Sequence, residues 1–267
     1  MRAYDLWFES GTGLATFPGR TATREKPATP PDGWIGSAGP GIAPATWPRG
    51  TQTGLPMFHA LTLRLPAEYR RRGAHLTSVA FFQGEGQFAE ARTPAPSPDP
   101  FESDVRAATD HPHLARRTDI IDGQFALLWL TDDEVGAGPV APPPDSRRPG
   151  EHIAEDEGPN AWDTDAPTCA VWLLERPDPN AGAAPVDPMA AARTPEYASP
   201  YTSDFNLHPW AAQLAPCHLG GTSFPVQSLP HGLTPFYLEL DELPGLNFGG
   251  GSAQLDLESD VFDWACG

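Results

Sequence analysis

The residues best suited to chemistry lie in an acidic stretch near the end of the chain. Its carboxylates fall in two leucine-containing segments: Glu239, Asp241, Glu242, Asp256, Glu258 and Asp260. If the segments are neighbouring strands, alternate carboxylates share one face. Converging carboxylates can bind a hard divalent cation, or can divide acid and base roles between them. The alternative is a solvated strand face, because repulsion between exposed carboxylates is tolerable in water.

A second cluster with metal-ligand character is Asp110-His111-Pro112-His113. In a strand, residues two apart point to the same face, so His111 and His113 with a carboxylate could hold a metal ion. Pro112 argues against a paired strand and favours a polar loop after a short helix. Asp110, His111, His113 and Asp256 are therefore the candidate metal ligands. No cofactor is expected apart from such a divalent cation.

The remaining candidate residues match known functional patterns less well. Cys217 and His218 are adjacent, and neighbours on a strand point to opposite faces, which argues against a nucleophile–base pair. The glycines at 249–251 resemble a phosphate loop but lack the lysine and helix that such loops need. Trp34 and Trp47 stand in glycine-rich loops and could line a ligand groove, or could pack in the core. These observations favour a protein without catalytic activity, although they do not decide the question.

Composition narrows the class of protein. Thirty-three prolines and 26 glycines in 267 residues exclude long helices, and an apolar fraction of 39% is enough for a core. A formal charge of −18 repels phosphates and anionic lipids, so neither nucleic acid nor a membrane is an expected partner. No signal-peptide pattern opens the chain, and three cysteines form no CxxC spacing. We expect a cytoplasmic protein with reduced thiols.

The elements that position these residues are predicted to be mostly strands. Residues 4–8 predict an edge strand, and residues 76–88 predict a hairpin that turns at 84–86. The apolar runs 124–130 and 169–175 predict central strands, buried on both faces and paired with each other. Residues 92–168 otherwise contain long stretches rich in proline and acid, which we interpret as surface excursions.

Two distant segments, LPMFHALTLRLP at 55–66 and LTPFYLELDELP at 233–244, share their leucine, phenylalanine and Leu-Pro positions. Their surroundings also match: IGS at 35–37 corresponds to LGG at 219–221, and SVAFF at 78–82 to SAQLDL at 252–257. Their alternation is out of phase, so either the true register differs or one copy carries a bulge. Chance likeness of two leucine-rich strands is the alternative.

From this repeat we predict a single domain over 1–267, with a first repeat at about 33–91, central excursions at about 92–168 and a second repeat at about 216–266. The predicted fold class is α+β, mainly β. It is a single body with two pseudo-symmetric, sheet-containing halves that arose by internal duplication.

Several motifs in these repeats follow a family pattern. They are Trp47-Pro48, the strand at 55–63, Val79 to Gln83, the GG-led stretch at 219–227, and the ending FDWAC at 262–266. With these motifs the chain resembles the YwqG-like bacterial family, a domain of unknown function. The resemblance implies a single α+β body, built mainly of sheet in two halves, and supplies no catalytic residue. Leu61 and Glu239 stand where the family has glutamine.

These patterns favour an acidic, non-catalytic interaction protein that binds a basic protein partner, such as a toxin-neutralising or regulatory factor. The alternative is a small-ligand site or a metal-dependent hydrolase site in the cleft between the repeats. The candidate binding residues are Trp34, Trp47, Glu239, Asp241 and Glu242.

Overall fold

The computed structural model describes residues 1–9, 26–95, 98–153, 158–191, 194, 196–204 and 206–267. The strands in these ranges are β1 Ala3–Phe8, β2 Gly33–Ile35, β3 Phe58–Arg64, β4 Ser78–Gln83, β5 Leu114–Thr118, β6 Gln124–Leu130, β7 Cys169–Arg176, β8 His218–Leu219, β9 Tyr237–Asp241, β10 Ser252–Asp256 and β11 Phe262–Ala265. The helices are α1 Pro100–Ala107, α2 Asp132–Gly136 and α3 Pro188–Ala191. The fold is therefore mainly β.

All eleven strands belong to one antiparallel sheet in the order β11-β10-β9-β8-β1-β7-β2-β3-β4-β6-β5. The pair β1 and β7 lies at its centre, where Trp7 opposes Trp172 with ring centroids 5.2 Å apart. The prediction of an edge strand at 4–8 is wrong, because β1 pairs with β7 on one side and β8 on the other.

The sheet curls until its two edges approach each other. The Phe125 ring on β6 lies 4.7 Å from the Phe262 ring on the edge strand β11. At the same junction Trp264 Nε1 donates to Asp119 Oδ2, and Arg117 pairs with Asp260 at 2.7 Å. We call this junction the seam. Because a curled sheet places one face inside, strands from both ends of the order share one core.

That inner core is apolar and draws on both parts of the sheet. It includes Leu61, Phe81, Leu127, Leu238 and Leu255, each no more than 1% exposed. A second apolar cluster covers the outer face of β4 and β6, so both faces of these strands are buried, as predicted for 124–130. Burial on both faces explains why the sequence of β6 is continuously apolar.

Two predictions of strand pairing are wrong. The strand β6 pairs with β4 and β5, whereas β7 pairs with β1 and β2, so the two apolar runs do not pair with each other. No strand returns after the turn at 84–86, because β4 pairs instead with β6 and Gly84 N donates to Gln124 O. The central region 92–168 contains α1, β5, β6 and α2, so it contributes two strands to the sheet.

The parity conflict between the two similar segments has a local cause. The ladder between β3 and β4 shifts register between His59 and Leu61, which leaves Ala60 as an additional residue. Beyond this bulge, Leu61 lies opposite Ile35 as Leu238 lies opposite Leu219. Both leucines face the inner core. The strands β2-β3-β4 and β8-β9-β10 are therefore paired in the same way within the sheet.

The helices in the described ranges include none with both the length and the apolar character required to cross a bilayer.

Candidate functional site

Three of the six carboxylates of the predicted acidic face are buried, so its interpretation as a solvated strand face is wrong for these three, whereas Asp260 is exposed. Glu239 is 1% exposed, Asp241 8% and Asp256 0%. Glu239 and Asp241 lie on β9, opposite Gln254 and Ser252 of β10, which confirms that the two acidic segments are neighbouring strands. Buried carboxylates must be hydrogen-bonded or paired, because desolvating an unpartnered charge is costly.

Three carboxylates of the predicted face, those of Glu239, Glu242 and Asp256, each fix a loop. Glu239 accepts hydrogen bonds from the Ser223 hydroxyl and from Phe224 N at 2.9 Å. Glu242 accepts from the amides of Phe248 at 3.1 Å and Gly250 at 2.7 Å. Asp256 accepts from three amides: Thr234 N at 2.5 Å, Glu258 N at 2.9 Å and Ser259 N at 2.6 Å. Glu239, Glu242 and Asp256 therefore each hold a different stretch of loop backbone in place.

A buried ion cluster lies beside this face. Arg176 at the end of β7 donates to Asp5 Oδ1 at 2.6 Å and to Asp178 Oδ2 at 2.9 Å. Asp178 also accepts from Thr222 N at 2.9 Å and from Asn180 N at 2.8 Å. Burial disfavours the guanidinium, but Asp5 and Asp178 outweigh it and raise the pKa of Arg176. The cluster ties the centre of the sheet to the loop after β8.

The glycine pair in that loop has a steric reason. Gly220 and Gly221 have φ of +63° and +84°, in the left-handed region that favours glycine. A Cβ on Gly221 would overlap Asp178 Oδ2, and one on Gly220 would overlap the Tyr69 hydroxyl. The glycine signal in the sequence thus marks a turn that closes over the buried Asp178 carboxylate.

His218 and Cys217 take different surroundings, as expected for neighbours on a strand. Cys217 packs in the inner core, whereas His218 Nε2 lies 3.2 Å from the Tyr237 hydroxyl, which donates to Gly221 O at 2.9 Å. Burial, with a smaller contribution from Glu239, raises the pKa of Tyr237 well above its usual range. The tyrosine therefore stays neutral and acts as a hydrogen-bond donor within the fold.

The predicted metal cluster at 110–113 forms a loop after α1, as the sequence indicated. His111 Nδ1 accepts from His113 N at 3.2 Å, so its Nε2 carries the proton and donates to Glu134 Oε1 at 2.8 Å. Asp110 pairs with Arg116 at 2.8 Å. Within the ranges that the structure covers, no group of three or more His, Cys, Asp or Glu side chains is arranged to hold a metal ion.

The two candidate tryptophans are both mainly buried. Trp34 is 8% exposed and donates from Nε1 to Ala38 O, and Trp47 is 3% exposed and donates to Met57 O. The edge of Trp47 lines a cavity of about 270 Å³ together with Arg49, Arg92 and Arg116. Each of these arginines is already paired, with Asp104, Glu102 and Asp110 respectively. Trp34 belongs to the outer apolar cluster.

The candidates from sequence left out three exposed apolar side chains. Ile120 is 83% exposed, Phe88 71% and Ile121 40%. The two isoleucines lie in the turn DIIDG between β5 and β6, where two β-branched residues stand between aspartates. An apolar pair inside a polar turn is the sequence signal that could have identified them, because such turns are normally polar.

Comparison with protein-family models, with curated proteins and with solved structures gave no significant match. The resemblance to the YwqG-like family therefore stays a prediction.

Proposed function

We propose that the chain is an acidic, non-catalytic interaction protein that binds a basic protein partner. The observation that carries this proposal is the charge: 35 acidic residues stand against 17 lysines and arginines, a formal balance of −18. Such a surplus steers a cationic partner towards the surface and speeds encounter, and it disfavours nucleic acid and anionic membranes. A toxin-neutralising or regulatory role is consistent with binding of this kind.

The arrangement of the carboxylates supports the same proposal. Three of those suggested for chemistry, Glu239, Glu242 and Asp256, hold internal loops. Exposed carboxylates are spread over other parts of the surface: Glu90, Asp122, Asp133, Asp165, Glu196 and Asp204. The exposed groups can contribute to long-range attraction, because charges that remain in water set the potential outside the protein.

Affinity capture from a lysate of the host cell tests the proposal. The tagged chain is incubated with lysate at low and at moderate salt, and retained proteins are identified by mass spectrometry. We expect a stoichiometric basic protein that is retained at low salt and lost at moderate salt, because screening weakens exposed charge attraction. An unrelated acidic protein of similar charge serves as the control. Retention of no basic protein, or equal retention by the control, contradicts the proposal.

We also propose that the two halves of the sheet are an internal duplication, within one cytoplasmic domain that belongs to the YwqG-like family. The equivalent pairing of Leu61 with Ile35 and of Leu238 with Leu219 supports the duplication. Further support comes from the GS and GG turns that follow β2 and β8, where Gly36 and Gly220 both have positive φ. The repeat boundaries at about 33–91 and 216–266 are part of the same proposal.

A further inference from the structure

Three of the four large apolar side chains that are exposed in the described part of the chain lie around the seam. Phe88 and Ile121 line a cavity of about 240 Å³, and Ile120 and Ile121 line a second of about 270 Å³. Trp264 of β11 belongs to the walls of both. We call the two adjoining cavities the seam groove. Exposed apolar groups gathered at a concave site mark an interaction surface more often than scattered ones.

The turn that carries the isoleucines is held by its own aspartate. Asp119 Oδ1 accepts from Ile121 N at 2.9 Å and from Gly123 N at 2.7 Å, and its other oxygen accepts from Trp264 Nε1. Asp122 has φ of +67°, a conformation that a non-glycine residue adopts at a cost. The isoleucines are therefore displayed on an ordered turn anchored across the seam, which limits the ordering cost of binding.

The seam is closed by side chains and not by a ladder, because β5 pairs only with β6 and β11 only with β10 in the described sheet. The two cavities adjoin at this junction, since Ile121 and Trp264 line both of them. Apolar side chains of an extended segment can therefore enter the two cavities in succession, since alternate side chains of an extended chain point the same way.

Charge around the groove restricts its occupant. Asp119 and Asp263 line it and Asp122 is exposed beside it, whereas the nearby Arg117 is paired with Asp260. This acidic rim favours lysine or arginine beside an apolar anchor. A second copy of the chain is disfavoured, because two molecules that each carry a formal charge of −18 repel each other.

We propose that the seam groove docks an extended segment of the basic partner, in which apolar side chains alternate with or are flanked by lysine or arginine. This inference rests on the proposed function and locates its binding site. Apolar side chains of the segment pack on Phe88, Ile120, Ile121 and Trp264, and its cationic groups face Asp122 and Asp263.

Site-directed photo-crosslinking tests the location. Benzoylphenylalanine replaces Ile120 in one variant and Asp133 in a control variant. Asp133 is exposed on α2, which follows the other end of β6 from the groove. Each variant is irradiated in host lysate at low salt, and the crosslinked peptide is sequenced. We expect crosslinks from position 120 to a partner peptide that contains apolar residues beside lysine or arginine, and none to that peptide from 133.

Binding of a defined probe gives a second readout. The probe is a fluorescent synthetic peptide of alternating leucine and lysine, compared with peptides in which serine replaces leucine or glutamate replaces lysine. We expect Phe88→Ser with Ile120→Ser to weaken binding of the leucine–lysine peptide roughly tenfold, since burial of an apolar side chain is worth that much or more. Asp122→Asn with Asp263→Asn should also weaken it, whereas Asp133→Asn with Asp165→Asn should not.

The outcomes separate the two proposals. If a basic partner is captured but neither crosslinks from position 120 nor depends on Phe88 and Ile120, the seam groove is not its site while the proposed function stands. If no basic protein is captured and the peptide probe does not bind, both proposals fail. Binding of the probe that the seam variants leave unchanged also overturns the groove assignment.

Discussion

Nδ1 of His59 lies 2.6 Å from the carbonyl oxygen of Gly36, and both groups are buried between β2 and β3. A carbonyl can only accept, so Nδ1 carries the proton and Nε2 accepts from the Thr62 hydroxyl at 2.8 Å. The neutral tautomer is thereby fixed at the bulge that distinguishes β3 from β9.

We predict that His59 makes stability depend on pH. Burial lowers the pKa of His59 to about 4, from an ordinary 6.5. Between these values the unfolded chain binds a proton that the folded chain does not, so stability is present above 6.5 and is lost as pH falls towards 4. His59→Gln should reduce the loss of unfolding free energy between neutral pH and pH 4 by about 3 kcal/mol. Urea unfolding of the wild type and of His59→Gln at a series of pH values measures this difference in pH dependence.

His75→Gln is the matched control, since His75 is exposed. An equal pH dependence in wild type and His59→Gln would contradict the prediction.

The glycine pair after β8 gives a stability prediction with an internal control. Gly221→Ala must accept both a positive φ and an overlap with Asp178 Oδ2, whereas Gly250→Ala meets no atom within 4 Å at φ of +79°. We expect Gly250→Ala to lower the free energy of unfolding by about 1 kcal/mol, and Gly221→Ala by about 3 kcal/mol or more. Chemical denaturation of both variants compares them, and equal losses would mean that the close approach to Asp178 is unimportant.

Removal of the buried guanidinium of Arg176 should lower the free energy of unfolding far more than removal of an exposed guanidinium. The Arg176 side chain is 0% exposed between Asp5 and Asp178, whereas Arg2 pairs with Glu175 with both side chains more than half exposed. Arg176→Met leaves buried carboxylates without their cation, so we expect a loss of about 3–5 kcal/mol. Arg2→Met should cost under about 1 kcal/mol. Thermal and urea unfolding measure both, and a small effect of Arg176→Met would contradict the role of the cluster.

The sequence predicts contacts between residues that are close in the chain better than contacts between residues that are far apart in the chain. The neighbouring strands β9 and β10 were predictable, because their alternating residues and the connection between them are local. The prediction of a hairpin at 76–88 was wrong, since nothing within that segment encodes that β4 pairs with the distant β6. The relative parity of the two similar segments depends on the bulge at Ala60, which the sequence alone leaves as one of two possibilities.

The site was less predictable than the fold for a similar reason. An acidic residue on a strand indicates a solvated face unless a distant loop covers it, and here Ser223 and Phe224 cover Glu239. Exposure of Ile120 and Ile121 likewise depends on how the turn held by Asp119 meets β11. Local patterns identify the residue types, but burial of each side chain is set by contacts far apart in the chain.

Divalent cations distinguish the interaction protein from the alternative, a ligand or metal-dependent hydrolase site between the halves. We expect Ca²⁺, Mg²⁺ and Mn²⁺ to leave the melting temperature unchanged, because Glu239 and Asp256 are occupied by hydrogen bonds from Phe224 and Ser259 and would have to release them to coordinate a cation. Differential scanning fluorimetry with each cation measures this. A rise that Glu239→Gln with Asp241→Asn abolishes, and that the exposed pair Asp133→Asn with Asp165→Asn retains, would overturn the expectation and favour the alternative. A rise that both double variants retain would instead place the cation away from the acidic face of β9.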